Sequence, residues 1–199
     1  EYTRTSTTVV NAYLSPVMGR YVQRIDRFFA DLGARNPVRY YQSNGGLALG
    51  SIMRERAVNA INSGPASAPQ AALYVAEPFS ITNVITVDMG GTSFDITLAK
   101  DGQTKLNRNY DFLRQRLGVP MIHVETLGAG GGSIARLDEF GMIRVGPHSA
   151  GASPGPACYG RGGTQPTVTD ANLVLGYLRP EAVLGGAIQI DADKAREAL

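Results

Sequence analysis

Apolar residues recur at helical spacing over residues 8–32, where Leu14, Val17, Met18, Tyr21, Val22, Ile25, Phe28, Phe29 and Leu32 form one broad stripe. The pattern predicts a helix that packs this stripe into a core. Ser15-Pro16 in its middle reads as a kink or a restart, since proline suits a first helical turn and breaks an interior one. Gly33 reads as the stop. The period then shortens. VRYYQ (38–42) is predicted as a strand ended by the turn residues SNGG. A short helix follows at 51–56, then a second brief strand, AVNAI (57–61). SGPA (63–66) opens a helix over 66–77, with Pro65 in its first turn. Ala66, Ala68, Ala71, Ala72 and Ala76 make that helix slim enough to lie close against neighbouring backbone.

The second half reads as a strand meander. VITVDMGGTSFDITL (84–98) gives strands at 84–87 and 94–98 joined through a glycine turn. Asp101-Gly102 marks another turn, and a third strand begins near Thr104. Residues 119–125 form a further strand ending at LGAGGGS, and residues 134–137 and 142–145 flank DEFG as a hairpin. Residues 149–167, rich in Gly and Pro, read as a long irregular loop, a kind that inside compact domains is usually functional or disordered. Asp170 then reads as the N-cap of ANLVLGYL, and DADKAREAL ends the chain on another capped helix. The element order is that of a mixed α/β protein.

Composition narrows the class. The 199 residues are 43% hydrophobic and 18% charged, as in folded globular proteins. The 19 basic and 17 acidic residues nearly balance, so neither a nucleic-acid nor an acidic-membrane partner is called for. No apolar run is long enough to span a bilayer, and nothing reads as a secretory leader. The single cysteine, Cys158, rules out an internal disulfide and fits a reducing, cytoplasmic setting. Glycine is the unusual feature. Its 24 copies cluster at Gly45-Gly46, Gly90-Gly91, Gly128 to Gly132, Gly160 to Gly163 and Gly185-Gly186, places where backbone turns tightly or approaches something closely.

The turn after the 84–87 strand carries the candidate chemistry. Gly90 and Gly91 lack side chains, so successive N–H groups there can form an anion-binding nest. Thr92 and Ser93 add hydroxyl donors. Asp88 can hold a hydrated Mg²⁺ or orient a water, and Asp95 can serve in the same shell. Donors plus a carboxylate meet the needs of phosphoryl transfer, which are positioning and charge neutralisation. The competing reading is a plain hairpin turn. In GAGGGS the expectation is a set of free N–H groups at Gly130, Gly131 and Gly132, with Ser133, in contact with a ligand. His123 and Glu125 alternate on one strand and so share a face. With His148, the only other histidine, they are a candidate Zn²⁺ or Mn²⁺ set. Cys158 reads as a buried structural thiol. Arg161 is either a phosphate or carboxylate contact or simply solvated. Gln42, Ser43 and Asn44 close a strand where a loop can face substrate.

Taken together and in order, STTVVNAYLSPV, QSNGGL, SGPA, DMGGTSFD, LGAGGGSIA, RVGPHSAGASPGPACYGRGG and PTVTDANLVLG resemble the hydantoinase A / 5-oxoprolinase family. The match runs from Ser6 to Gly176. A departure is His-x-Glu at 123–125, where members often show Asp-x-His. The resemblance implies a ribonuclease H-like, actin-like ATPase topology in partial form. Residues 1–64 are expected to be the closing segment of a first lobe, and residues 65–199 most of a second. It implies ATP and Mg²⁺ at Asp88, Gly90, Gly91, Thr92, Ser93 and Asp95, with Gly130, Gly131, Gly132 and Ser133 lining the pocket. It implies a cyclic-amide substrate, whose carbonyl is activated by phosphorylation and then hydrolysed, and a B-type partner subunit. Two alternatives stay open. One is a subunit of an ATP-dependent acetone/acetophenone-type carboxylase acting on a ketone. The other is a non-catalytic actin-like nucleotide switch. A first phosphate loop similar to DMGGTSFD is not found upstream, so the expectation is a fragment lacking its N-terminal lobe and inactive by itself.

Overall fold

The N-terminal apolar stripe forms a single helix, α1 (Tyr2–Asp31), which runs through Pro16 without a restart. Pro16 has no N–H to donate to the preceding turn, and next to it Ser15 Oγ donates to Asn11 O at 2.7 Å. Gly33, at φ 81°, ends the helix. Its N–H reaches Ala30 O and that of Ala34 reaches Phe29 O, the paired bonds of a Schellman stop. In this computed structural model residues 1–112, 114–181, 183–184 and 188–199 are described. The expected turn at Gly185-Gly186 lies outside them. The chain forms two compact units, Glu1–Thr86 with Ile96–Glu125, and Val87–Asp95 with Thr126–Leu199.

In the first unit α1 is followed by the hairpin β1 (Arg39–Tyr41) and β2 (Leu47–Leu49), then α2 (Gly50–Glu55) and α3 (Ser63–Ala76). Val22 is fully buried. A Cβ on Gly50 would come 2.6 Å from Val22 Cγ1 and 2.7 Å from Asp26 Oδ2, so the helix can seat here only against glycine. Tyr40 locks the contact by donating to Asp26 Oδ1 at 2.7 Å. The expected strand at 57–61 is instead a 3-10 turn, Ala57–Ala60. Tertiary hydrogen bonds decide this. Val58 N–H donates to Asn11 Oδ1, and Asn59 O accepts from both the N–H and the hydroxyl of Ser43. α3 begins at Ser63, earlier than expected, after Asn62 takes a left-handed conformation.

Eight strands follow. They are β3 (Val84–Met89), β4 (Phe94–Lys100), β5 (Gln103–Thr104), β6 (Leu106–Asn107), β7 (Tyr110–Phe112), β8 (Gln115–Leu117), β9 (Met121–Ile122) and β10 (Val124–Leu127). One sheet runs β10-β4-β3, with β5 also paired to β4. The single strand expected over 119–125 is broken at His123, whose N–H leaves the run to donate to Lys105 O. β7 and β8 form an antiparallel hairpin that the sequence does not announce, because Arg114 takes a positive φ of 67° where a glycine or asparagine would have signalled a turn. The unit's core gathers Val58, Ile61, Leu117, Val119 and Met121, with Val10 and Leu14 of α1 packed on it. The rest of the α1 stripe does not join that core. Val17 is 60% exposed and Phe28 57%.

In the second unit β11 (Ser133–Leu137) and β12 (Ile143–Ser149) form the expected hairpin. Asp138 closes its turn, accepting from Phe140 N, Met142 N and Arg144 Nε. Those donors hold its carboxyl below the usual range. The Gly/Pro-rich loop contains one 3-10 turn, Ala157–Tyr159. α4 (Val168–Val174) follows, then the pair β13 (Val183–Leu184) and β14 (Ile188–Gln189), and α5 (Ala192–Ala198). Cys158, Leu173, Ile190 and Ala195 form the core. Asp191 caps α5 as expected. α4 differs: Thr167 is the N-cap, and Asp170 is the third helical residue, completing a reciprocal capping box.

Leu117→Ala empties a fully buried site and is expected to cost about 2–5 kcal/mol. Urea unfolding should show a lower midpoint at unchanged slope. The exposed Tyr13→Ala serves as control and is expected to shift stability by no more than about 0.5 kcal/mol.

Candidate functional site: two interlocked glycine loops

The strands β3 and β4 deliver Asp88 and Asp95 to either side of a tight turn. Gly90 N–H donates to Ser93 O at 2.9 Å and closes it. Asp88, Gly90, Gly91 and Thr92 are exposed, and Ser93 is half-buried. Among the described residues the N–H groups of Gly91, Thr92 and Ser93 have no acceptor, and Asp88 has no partner. Asp95 is engaged: Thr126 Oγ1 donates to its Oδ1 at 2.6 Å. Thr126 was not singled out in the sequence, where only its position two residues before Gly128 could have suggested it.

The second loop, Gly128 to Ser133, packs directly on the first. Gly131 N–H donates to Gly90 O at 2.9 Å, Gly132 N–H to Gly91 O at 2.6 Å, and Ser133 N–H to Gly130 O at 3.0 Å. This corrects the expectation of free amides in GAGGGS: those of Gly131, Gly132 and Ser133 are engaged inside the protein. The glycines have a steric reason instead. A Cβ on Gly130 would stand 2.5 Å from Thr92 N and 2.7 Å from Gly91 C, and one on Gly132 would stand 2.9 Å from Gly91 O. Backbone approaches backbone too closely for any side chain. Ser133 is fully buried, and its hydroxyl has no partner among the described residues.

Behind this pair lies a buried carboxylate. Asp170 is fully buried and accepts from Thr167 N (3.0 Å), Thr167 Oγ1 (2.7 Å), Cys158 N (2.8 Å) and Ala157 N (3.3 Å). These bonds meet the desolvation cost of a buried charge. Cys158 is buried as the sequence suggests, and burial together with the neighbouring Asp170 carboxylate pushes its thiol up to about 12. A nucleophilic role needs an accessible thiolate, which this setting denies.

The other candidates have surroundings of their own. His123 Nε2 lies 2.8 Å from Glu125 Oε1, and its Nδ1 lies 2.8 Å from Asn107 Nδ2, so both ring nitrogens are engaged. His148 is exposed on β12. Among the described residues no group of three or more His, Cys, Asp or Glu side chains could hold a metal ion. Gln42 accepts from Asn59, Ser43 is buried, and Asn44 accepts from Gly46 N–H, so these side chains build their own turn. Arg161 is exposed. No helix among the described residues is long and apolar enough to cross a membrane.

Fold and loops together define a mixed α/β protein with open sheets, a partial domain of the ribonuclease H-like, actin-like ATPase kind. Residues 4–199 match the Hydantoinase/oxoprolinase family model, and the chain belongs to that family. It is 72% identical over all 199 residues to caprolactamase subunit alpha of Pseudomonas jessenii, of which it covers 29%. It superposes with a TM-score of 0.80 on the crystal structure of ATP-dependent caprolactamase from that organism, at 73% identity, covering 100% of this chain and 29% of that one. A nucleotide-free structure of acetone carboxylase gives 0.83 at 32% identity, covering 100% of this chain and 28% of that one. The chain thus spans under a third of the length of these relatives.

Gly130→Ala is expected to cost about 1–3 kcal/mol through overpacking, seen as a drop of about 2–12 °C in melting temperature. At Gly128, where the nearest atom to a Cβ is 3.8 Å away, alanine is expected to cost no more than about 0.5 kcal/mol. Equal losses at both positions would contradict the interlock. For Cys158 the folded state favours the protonated thiol. Its contribution to stability is therefore full below the ordinary thiol value of 9.0 and is lost as pH rises toward about 12. Maleimide labelling at pH 8 should be negligible in the native protein and complete in denaturant.

Proposed function

We propose that this chain is the nucleotide-gripping part of an ATP-dependent subunit that hydrolyses cyclic amides. The observation that carries the reading is that, among the described residues, the N–H groups of Gly91, Thr92 and Ser93 and the carboxylate of Asp88 at the same turn have no partner. Gly91 and Thr92 are exposed, and a Cβ on Gly91 would meet nothing within 4 Å. Exposed amides with hydroxyls at the same turn suit a phosphate in charge and in donor count. Asp88 suits a hydrated Mg²⁺, which takes one or two carboxylates and keeps several waters. When bound, ATP supplies the phosphoryl group that activates the amide carbonyl toward water. This chain's residues orient and neutralise the phosphate oxygens, with Asp88 at the cation and Asp95 held by Thr126 at the base of the turn. His123, with both nitrogens engaged, does not fit a Zn²⁺ or Mn²⁺ site as arranged.

The caprolactamase name of a 72%-identical relative supports a lactam as the substrate class. A ketone substrate and carboxylation form a second reading, supported by the TM-score of 0.83 to acetone carboxylase. The lower identity of that match, 32%, makes it the weaker one. In the proposal residues 1–64 close a first lobe and residues 65–199 make most of a second. A further lobe of the same polypeptide and a B-type partner subunit complete the cleft, in the cytoplasm.

The test uses the full-length subunit with its partner, assayed for lactam hydrolysis and for bicarbonate incorporation. Asp88→Asn is expected to lower ATP-dependent ring opening about 100-fold or more, the scale for a group that stabilises transition-state charge. Gly91→Ala is expected to keep the melting temperature while weakening ATP binding about tenfold or more, about 1.4 kcal/mol. Unchanged ATP affinity in Gly91→Ala would overturn the phosphate assignment.

A further inference from the structure

The Gly91 and Thr92 amides can receive one oxyanion together only if both are turned to the same side. Peptide planarity fixes how that is done. In a trans peptide the C=O of one residue and the N–H of the next point in opposite directions. The Gly90 carbonyl shares its peptide with the Gly91 amide, and the Gly91 carbonyl shares its peptide with the Thr92 amide. Both carbonyls are held from one side, by Gly131 N–H at 2.9 Å and Gly132 N–H at 2.6 Å. Holding them there turns the two amides away from the second loop's donors, at residues that are exposed. The aim of the first loop therefore depends on where the second loop sits.

One residue sets that position from behind. Thr169 donates twice to Gly131 O, from its N–H at 2.8 Å and from its Oγ1 at 2.8 Å. It is 8% exposed and lies in the first turn of α4, next to Asp170, whose buried carboxylate locks that turn to the Ala157–Tyr159 segment. A Cβ on Gly131 would stand 2.8 Å from Thr169 Oγ1, so the peptide and the hydroxyl are fitted to each other. The order of contacts is Asp170 to the first turn of α4, Thr169 to Gly131, Gly131 to Gly90, and so to the Gly91 amide.

We infer that Thr169 is a positioning residue for nucleotide: its hydroxyl, through Gly131, aims the Gly91 and Thr92 amides without touching the ligand. The inference rests on the phosphate reading above, and the experiment separates the two. In the full-length subunit with its partner, Thr169→Val removes the hydroxyl and keeps the shape. It is expected to raise KM for ATP about tenfold, a loss of about 1.4 kcal/mol, with kcat within about threefold of wild type. Thr169→Ser keeps the donor and is expected to stay within about twofold of wild type in KM. Should Thr169→Val not fold, Thr169→Ala makes the same deletion without added apolar volume. A variant lacking the hydroxyl that melts lower yet keeps the wild-type KM for ATP would overturn the inference, because the bond would then hold only the fold. If Gly91→Ala weakens ATP binding while Thr169→Val does not, the positioning role alone is lost. If neither does, the phosphate reading falls with it.

Discussion

The contact on which the second unit depends is made by main chain alone. The amides of Gly131 and Gly132 meet the carbonyls of Gly90 and Gly91, with Gly130 pressed against the backbone of Thr92. A hydrogen bond of this kind contributes about 1 kcal/mol net, so two of them do not account for a fold. Their importance is geometric. They fix two peptide planes in a turn that has few other bonds, and with those planes the direction of the Gly91 and Thr92 amides.

That arrangement needs a firm backing, and the backing is polar. A buried aspartate without a counter-ion is costly unless hydrogen bonds replace its water. Asp170 has four donors on its two oxygens, which join an irregular Gly/Pro segment to a helix of only seven residues. The long loop is thereby pinned at its middle. It carries Cys158 into the apolar cluster with Leu173, Ile190 and Ala195, so the one thiol of the chain packs as a small hydrophobe.

Much of this was legible in the residues, and the failures have physical reasons. The strand–glycine turn–strand at 84–98, the DEFG hairpin, the Gly33 stop and the Asp191 cap follow from local chemistry and stand in the structure. AVNAI was misread because Asn11 and Ser43, remote in sequence, bind its backbone and override its alternation. The α1 stripe was legible as a helix but not as to which residues bury, since spacing alone cannot say that Leu14 and Val22 turn inward while Val17 and Phe28 do not. For the site, the residue types at Asp88 to Asp95 announced a glycine turn with exposed polar groups, but the engagement of the Gly131, Gly132 and Ser133 amides in GAGGGS did not follow. Free and engaged amides look the same in a sequence. Thr169 and Thr126 were hidden for a similar reason: a threonine among threonines gives no sign that its hydroxyl meets a carbonyl or carboxylate from another part of the chain.

The glycine interlock also limits how the protein can change. When a side chain causes a clash, a smaller neighbour can relieve it. At Gly130 the clashing partners are Thr92 N and the carbonyl carbons of Thr92 and Gly91, atoms that every amino acid carries. No second substitution can trim them away. A lesion there has no local suppressor, and recovery of function would have to come from reversion or from a shift of the whole loop.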